Sequence, residues 1–168
     1  MKKLLFGLVI LGLTIQSYAQ VTKVEKLSEV VISATNYKYL NKTGIENVSV
    51  PVTLLEHKVA NFDLKNSEFY NDEYDSYVVS FYIPEGKILA AYDKDGTILR
   101  TIERFKNVIL PREVTEAVAK RYPKWIFDKD TYLVNYHDKK GITKKYKIKL
   151  RNGDEKIRVK CDEKGNFL

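Results

Sequence analysis

Ile88-Leu89-Ala90-Ala91-Tyr92-Asp93-Lys94-Asp95-Gly96-Thr97-Ile98-Leu99 and Ile157-Arg158-Val159-Lys160-Cys161-Asp162-Glu163-Lys164-Gly165-Asn166-Phe167-Leu168 are two versions of one phrase. Each is a β-favouring run, then Asp-x-x-Gly, then a return to apolar residues. A proline-led segment precedes each copy, at Val50-Pro51 and Leu110-Pro111. A recurring unit predicts a repeated scaffold. The prolines are 60 positions apart and the glycines Gly96 and Gly165 are 69 apart, so the second copy carries about nine more residues in its strands or turns.

Outward from these marks, both halves read as a helix followed by three strands. Pro51 suits the first helical turn, where its missing N–H is no loss. Val52, Leu55, Val59 and Phe62 then recur at helical spacing. Tyr77–Ile83, Ile88–Tyr92 and Thr97–Phe105 favour strands, turned by Pro84-Glu85-Gly86 and by Asp95-Gly96 as a two-residue hairpin loop. In the second half Pro111 opens a helix bearing Val114, Ala117 and Val118, and Pro123 stops it. Trp125–Phe127, Tyr132–Tyr136, Ile142–Arg151 and Lys156–Cys161 are strand-like, with Asn152-Gly153 as a strong hairpin signal. The expected fold is α+β: two tandem helix–β–β–β repeats, residues 50–109 and 110–168, forming one antiparallel sheet with the helices packed on one face.

Before the repeats come two other segments. Lys2 and Lys3, the uncharged run Leu4–Ile15 and the small residues of Ser17-Tyr18-Ala19 predict a secretory signal over residues 1–19. The apolar run falls short of the ~20 residues that span a bilayer. An arm over residues 20–49 follows, with a β-rich stretch at Leu27–Ala34 and turn formers that predict a loop over Asn36–Asn47. The Leu27–Ala34 stretch also looks like the entry segment of plug domains in TonB-dependent outer-membrane transporters, although no transporter barrel follows it. The expected location is periplasmic or extracellular.

Charge divides the chain. Residues 20–109 carry a net −2 and residues 110–168 a net +7. Such asymmetry points to an anionic partner for the second half. Export argues against nucleic acid and for an envelope or secreted protein, an anionic glycan or a lipid surface. In Ile142–Arg151, alternation places Thr143, Lys145, Lys147, Lys149 and Arg151 on one face, with Lys144 the exception among the apolar residues of the other. Across the turn Lys156, Arg158 and Lys160 join the cationic face. This face either docks an acidic surface or merely faces water and blocks edge pairing. The first half has an acidic, aromatic connection from Asp63 to Asp75, in which Glu68, Phe69, Tyr70, Asp72, Glu73 and Tyr74 form a second candidate contact surface. Those aromatics would equally staple the loop to the core.

No pattern predicts a metal or cofactor. The acidic connection lacks the glycine and alternating acids of a calcium loop, and Asp93-x-Asp95-Gly96 lacks a third carboxylate. His57 and His137 stand 80 positions apart without ligand-spaced neighbours. His137-Asp138 has no nucleophile in a recognisable context. Cys161, the sole cysteine, falls on the apolar side of its strand and reads as a buried, inert thiol.

The run Leu110-Pro111-Arg112-Glu113-Val114 … Val118 … Tyr122-Pro123-Lys124-Trp125, closed by Asp162-Glu163-Lys164-Gly165, resembles the PepSY-like proteins of Bacteroidetes-type bacteria, which are similar in fold to β-lactamase-inhibitor proteins. The resemblance covers about Val50 to Leu168. It implies a tandem helix-plus-sheet fold, an exported location, binding or protease-inhibitory roles, and no catalytic residues. The expected function is therefore a non-catalytic binding or inhibitory module acting on an envelope protein or protease. The alternatives are a glycan or anionic-surface binder, and a small hydrolase whose turnover would depend on His137. The exported protein is expected to begin at Gln20 by mass spectrometry of its N-terminus; a retained Met1 would overturn the signal reading.

Overall fold

Alternating apolar and polar residues build the sheet, and the surplus of apolar side chains on one parity decides where the helices lie. The computed structural model describes residues 36–44 and 49–168. The signal segment and the Leu27–Ala34 stretch lie outside these residues. The elements are α1 (Tyr37–Thr43), α2 (Val50–Ala60), β1 (Ser76–Ile83), β2 (Gly86–Asp93), β3 (Ile98–Lys106), α3 (Arg112–Arg121), β4 (Ile126–His137), β5 (Gly141–Asn152) and β6 (Glu155–Cys161). The strands form one antiparallel sheet in the order β1-β2-β3-β4-β5-β6, each hydrogen-bonded to its neighbour in sequence. The fold is α+β, as expected, with three described helices packed on a six-stranded sheet.

Tyr77 and Phe81 of β1, Ile88, Ala90 and Tyr92 of β2, and Phe105 of β3 are buried on one side of the sheet. Tyr132, Val134 and Tyr136 of β4, Tyr146, Ile148 and Leu150 of β5, and Val159 and Cys161 of β6 continue that side. Val52, Leu55 and Val59 of α2 and Val114 and Val118 of α3 close over them in a single core. Each such fully buried aliphatic side chain contributes about 1.5–3 kcal/mol. Two strands lie between α2 and the turn at Gly96, whereas three lie between α3 and the turn at Gly165, so the two Asp-x-x-Gly marks stand at different places in the strand order.

Four details differ from or extend the sequence reading, the inward place of Lys144 being one that alternation already gave. Residues 37–43 are helical rather than loop. Here tertiary contacts override the turn formers: Tyr39 packs edge-on against Tyr136 with ring centroids 5.3 Å apart, and its hydroxyl donates to Glu103 Oε1 at 2.8 Å. The two strand-like pieces around Trp125 and Tyr132 are one strand, interrupted by a bulge between Phe127 and Lys129 that absorbs Asp128. Lys144 is not a misplaced surface lysine. It points inward from β5, and its Nζ donates to the carbonyl of Thr43 at 2.6 Å, at the C-terminal end of α1 where unpaired carbonyls favour a cation. The fourth difference is the Asp95-Gly96 loop, which is part of a larger turn spanning Asp93–Gly96. The amide of Gly96 donates to the carbonyl of Asp93 at 3.1 Å, while Asp93 Oδ1 accepts from the amides of Asp95 and Thr97.

The second Asp-x-x-Gly copy repeats that turn. Gly165 N–H donates to the carbonyl of Asp162 at 3.2 Å, and Asp162 Oδ1 accepts from the amides of Lys164 and Asn166. The side-chain amide of Asn166, which donates to Asp162 Oδ2 at 2.8 Å, and then these backbone amides hold the Asp162 carboxyl below its usual range. Gly96 and Gly165 have φ of +83° and +82°, which only glycine adopts without strain. Gly165 also abuts α3: a Cβ there would sit 2.5 Å from the carbonyl oxygen of Glu113.

Under α1 the core holds two carboxyls, Glu56 of α2 and Glu103 of β3, at 2% and 1% exposure. Glu103 Oε1 accepts from Tyr39 and from Thr101 Oγ1 at 2.6 Å. Glu56 Oε1 and Glu103 Oε2 have no other partner among the described residues, and the two carboxyls reach each other. They are satisfied when one carries a proton and donates it to the other, because two adjacent buried anions repel. Burial, and then the neighbouring Glu103 charge, push Glu56 up to about 8. Burial likewise raises Glu103, and Lys144 is the nearby cation that opposes both shifts. A carboxyl raised above its unfolded value binds more protons in the folded state, so stability is full below about pH 4.5 and declines as pH rises toward 8. Chemical denaturation is expected to show a loss of about 1–3 kcal/mol between pH 5 and pH 8.5. Glu56→Gln, whose amide can donate in place of the proton, should flatten that slope; an unchanged slope would show that the pair is not its source.

Candidate functional site

The face of the sheet opposite the helices is uncovered by any described residue, and its composition changes from one side to the other. On the β1–β3 side Val78, Tyr82, Leu89 and Ile102 are exposed among Lys87, Arg100 and Arg104, with Leu89 and Ile102 directly paired. Four such side chains on one open face make a patch rather than scattered exposure. On the β4–β6 side it is cationic. Lys145, Lys147 and Lys149 of β5, with Arg151, alternate with the buried Tyr146, Ile148 and Leu150. Lys156, Arg158 and Lys160 of β6 alternate with the half-buried Ile157 and the buried Val159. The structure thus places all seven cations foreseen from sequence on one outward face.

The register pairs these cations directly. Lys147 lies opposite Lys160, Lys149 opposite Arg158, and Arg151 opposite Lys156. Lys129 of β4 lies opposite Lys149 on its other side, so Lys129, Lys149 and Arg158 form an unbroken cationic row across three strands. Like charges directly opposed on a sheet disfavour folding. A depression of ≈ 410 Å3 sits among Arg104, Lys129, Lys147, Lys149, Arg158 and Lys160. Lys129 and Arg104 escaped the sequence reading because β3 and β4 join this face only through the strand order. The long strand predicted for the second half was the available signal.

Few acids offset this charge. Asp128, in the β4 bulge, lies 3.3 Å from Lys149 Nζ, the single ion pair that these six cations make among the described residues. Asp130 also lines the depression, but its Oδ2 accepts the amide of Val108 at 3.0 Å. Partial burial raises its pKa.

The acidic, aromatic connection is built differently. Phe69 stacks on Phe62 at 6.2 Å, Tyr70 stacks on Tyr77 at 5.5 Å, and Tyr74 meets Tyr77 edge-on at 6.1 Å. Tyr77 hydroxyl also bonds to the backbone of Asn71. These contacts hold the loop against the sheet, yet Phe69 and Tyr74 stay exposed together with Glu68, Asp72 and Glu73. This loop leads into β1 and the basic hairpin is β5–β6, so the two candidate surfaces stand toward opposite edges of the sheet.

The remaining candidates are ordinary. His57 is half-buried on α2. His137 Nδ1 lies 2.7 Å from Asp138 Oδ1 at the β4–β5 turn. Cys161 is fully buried and its thiol is pushed up by that burial, which is the inert state expected. Comparison of the chain with protein-family models, curated proteins and solved structures returned no match. Lys147→Glu, which sets an acid opposite Lys160, is expected to raise the unfolding free energy at low salt by about 0.2–1 kcal/mol. A fall of that size in urea titrations would show that the paired cations do not oppose folding.

Proposed function

We propose that this chain is an exported, non-catalytic binding module whose open sheet face docks an acidic protein of the envelope or the secreted fraction. One observation carries the reading: a face left uncovered by the described residues, which joins exposed apolar side chains to a depression ringed by six cations. Protein interfaces combine an apolar centre with charged surroundings, and clustered charge steers encounter with an oppositely charged surface. An inhibitory role follows if the docked protein is a protease whose site this face occludes. The tandem-repeat reading, and with it the PepSY-like resemblance, belongs to the same proposal. It is supported by the order helix–β–β–β followed again by helix–β–β–β; the two Asp-x-x-Gly turns share their hydrogen bonds but follow the second strand of one unit and the third of the other.

The depression favours a second reading, an anionic glycan or lipid surface bound by charge alone. Partner recovery separates the two. The mature protein, immobilised and exposed to envelope extract, should retain an acidic protein that elutes as salt rises. A Lys147→Glu/Lys149→Glu variant should retain about tenfold less. Recovery of polysaccharide or lipid in its place would replace the leading reading, and turnover abolished by replacing His137 would reinstate a hydrolase.

A further inference from the structure

The cross-strand register of the β5–β6 hairpin turns its cations into an ordered array. Lys147 with Lys160, Lys149 with Arg158, and Arg151 with Lys156 are three directly opposed pairs. They follow one another at two-residue intervals along both strands. Strand geometry puts successive pairs about 6.6–6.8 Å apart, with the two members of a pair about 5 Å apart. An extended peptide carries every second side chain on one side at the same interval. We infer that the β5–β6 face recognises an extended peptide segment bearing Asp or Glu at alternate positions, each carboxylate seated over one cation pair. This deepens the docking reading above and rests on it.

Three features favour this occupant. A carboxylate between two cations removes the repulsion within each pair, so ligand binding and sheet stability act in the same direction. Arg158 and Arg151 each place a planar guanidinium, suited to two-point contact with a carboxylate, in a different seat. Lys129 adds a third cation to the central seat, on the β4 side. Single-stranded nucleic acid is a poorer match, because the residues around the depression include no aromatic ring on which bases would stack.

The test uses the mature protein and labelled peptides of about ten residues, read by fluorescence anisotropy at low salt. One peptide alternates glutamate with serine; its isomer gathers the same glutamates into one block. The alternating peptide is expected to bind at least about fivefold tighter than the block isomer. Lys147→Ser/Lys149→Ser should reduce that binding at least about tenfold. Arg158→Ser/Lys160→Ser serves as the second variant, should the first lose its circular-dichroism signature. Equal affinity for the two isomers overturns the periodic recognition and leaves the docking reading standing. Binding of heparin with neither peptide overturns it in favour of a glycan. Failure of peptides and heparin alike overturns both readings.

Discussion

A six-stranded sheet has two faces, and the described helices of this chain cover one. That constraint organises the molecule. Every strand sends most of its bulky apolar residues to the same side, so the core forms between sheet and helices. The other side is left to whatever the alternate positions happen to carry. In the first three strands they carry Val78, Tyr82, Leu89 and Ile102 beside Lys87, Arg100 and Arg104; in the last three they carry mainly lysine and arginine. The functional reading is a consequence of this division of labour.

The same division explains the cluster beneath α1. Glu103 falls on the inward parity of β3 and Glu56 on the buried side of α2, where a charge is unfavourable; two hydroxyls donate to Glu103, and the ammonium of Lys144 lies near both. Lys144 is the outlier of β5 for the same reason. It is the one lysine of that strand turned inward, it holds the end of α1, and it lies 3.6 Å from Glu163 Oε2 as well. A strand that presents cations to solvent on one parity thus also supplies a buried cation on the other.

Much of this was legible in the residues. Period-two alternation placed Lys145, Lys147, Lys149, Arg151, Lys156, Arg158 and Lys160 on one face, and the hairpin signal at Asn152-Gly153 aligned the two strands. What alternation does not contain is a neighbour. Arg104 and Lys129 come to the depression from β3 and β4, and their place there depends on pairing across the sheet. In the aromatic loop Phe69, Tyr70 and Tyr74 have the composition of a contact surface; that Phe62 and Tyr77 engage them, while Phe69 and Tyr74 stay exposed, is again a matter of neighbours that alternation does not contain.

The sequence by itself determined the local order of the described domain: proline-led helices, strands of alternating polarity, and two aspartate–glycine turns whose side-chain-to-amide hydrogen bonds close within five residues. These are short-range matters of backbone freedom and period, which a chain carries wherever it folds. Tertiary structure alone decided that residues 37–43 become a helix, that two glutamates are buried beneath it, and that cations from four strands converge on one depression. Each of these depends on groups far apart in the chain, and only packing brings such groups within reach of one another.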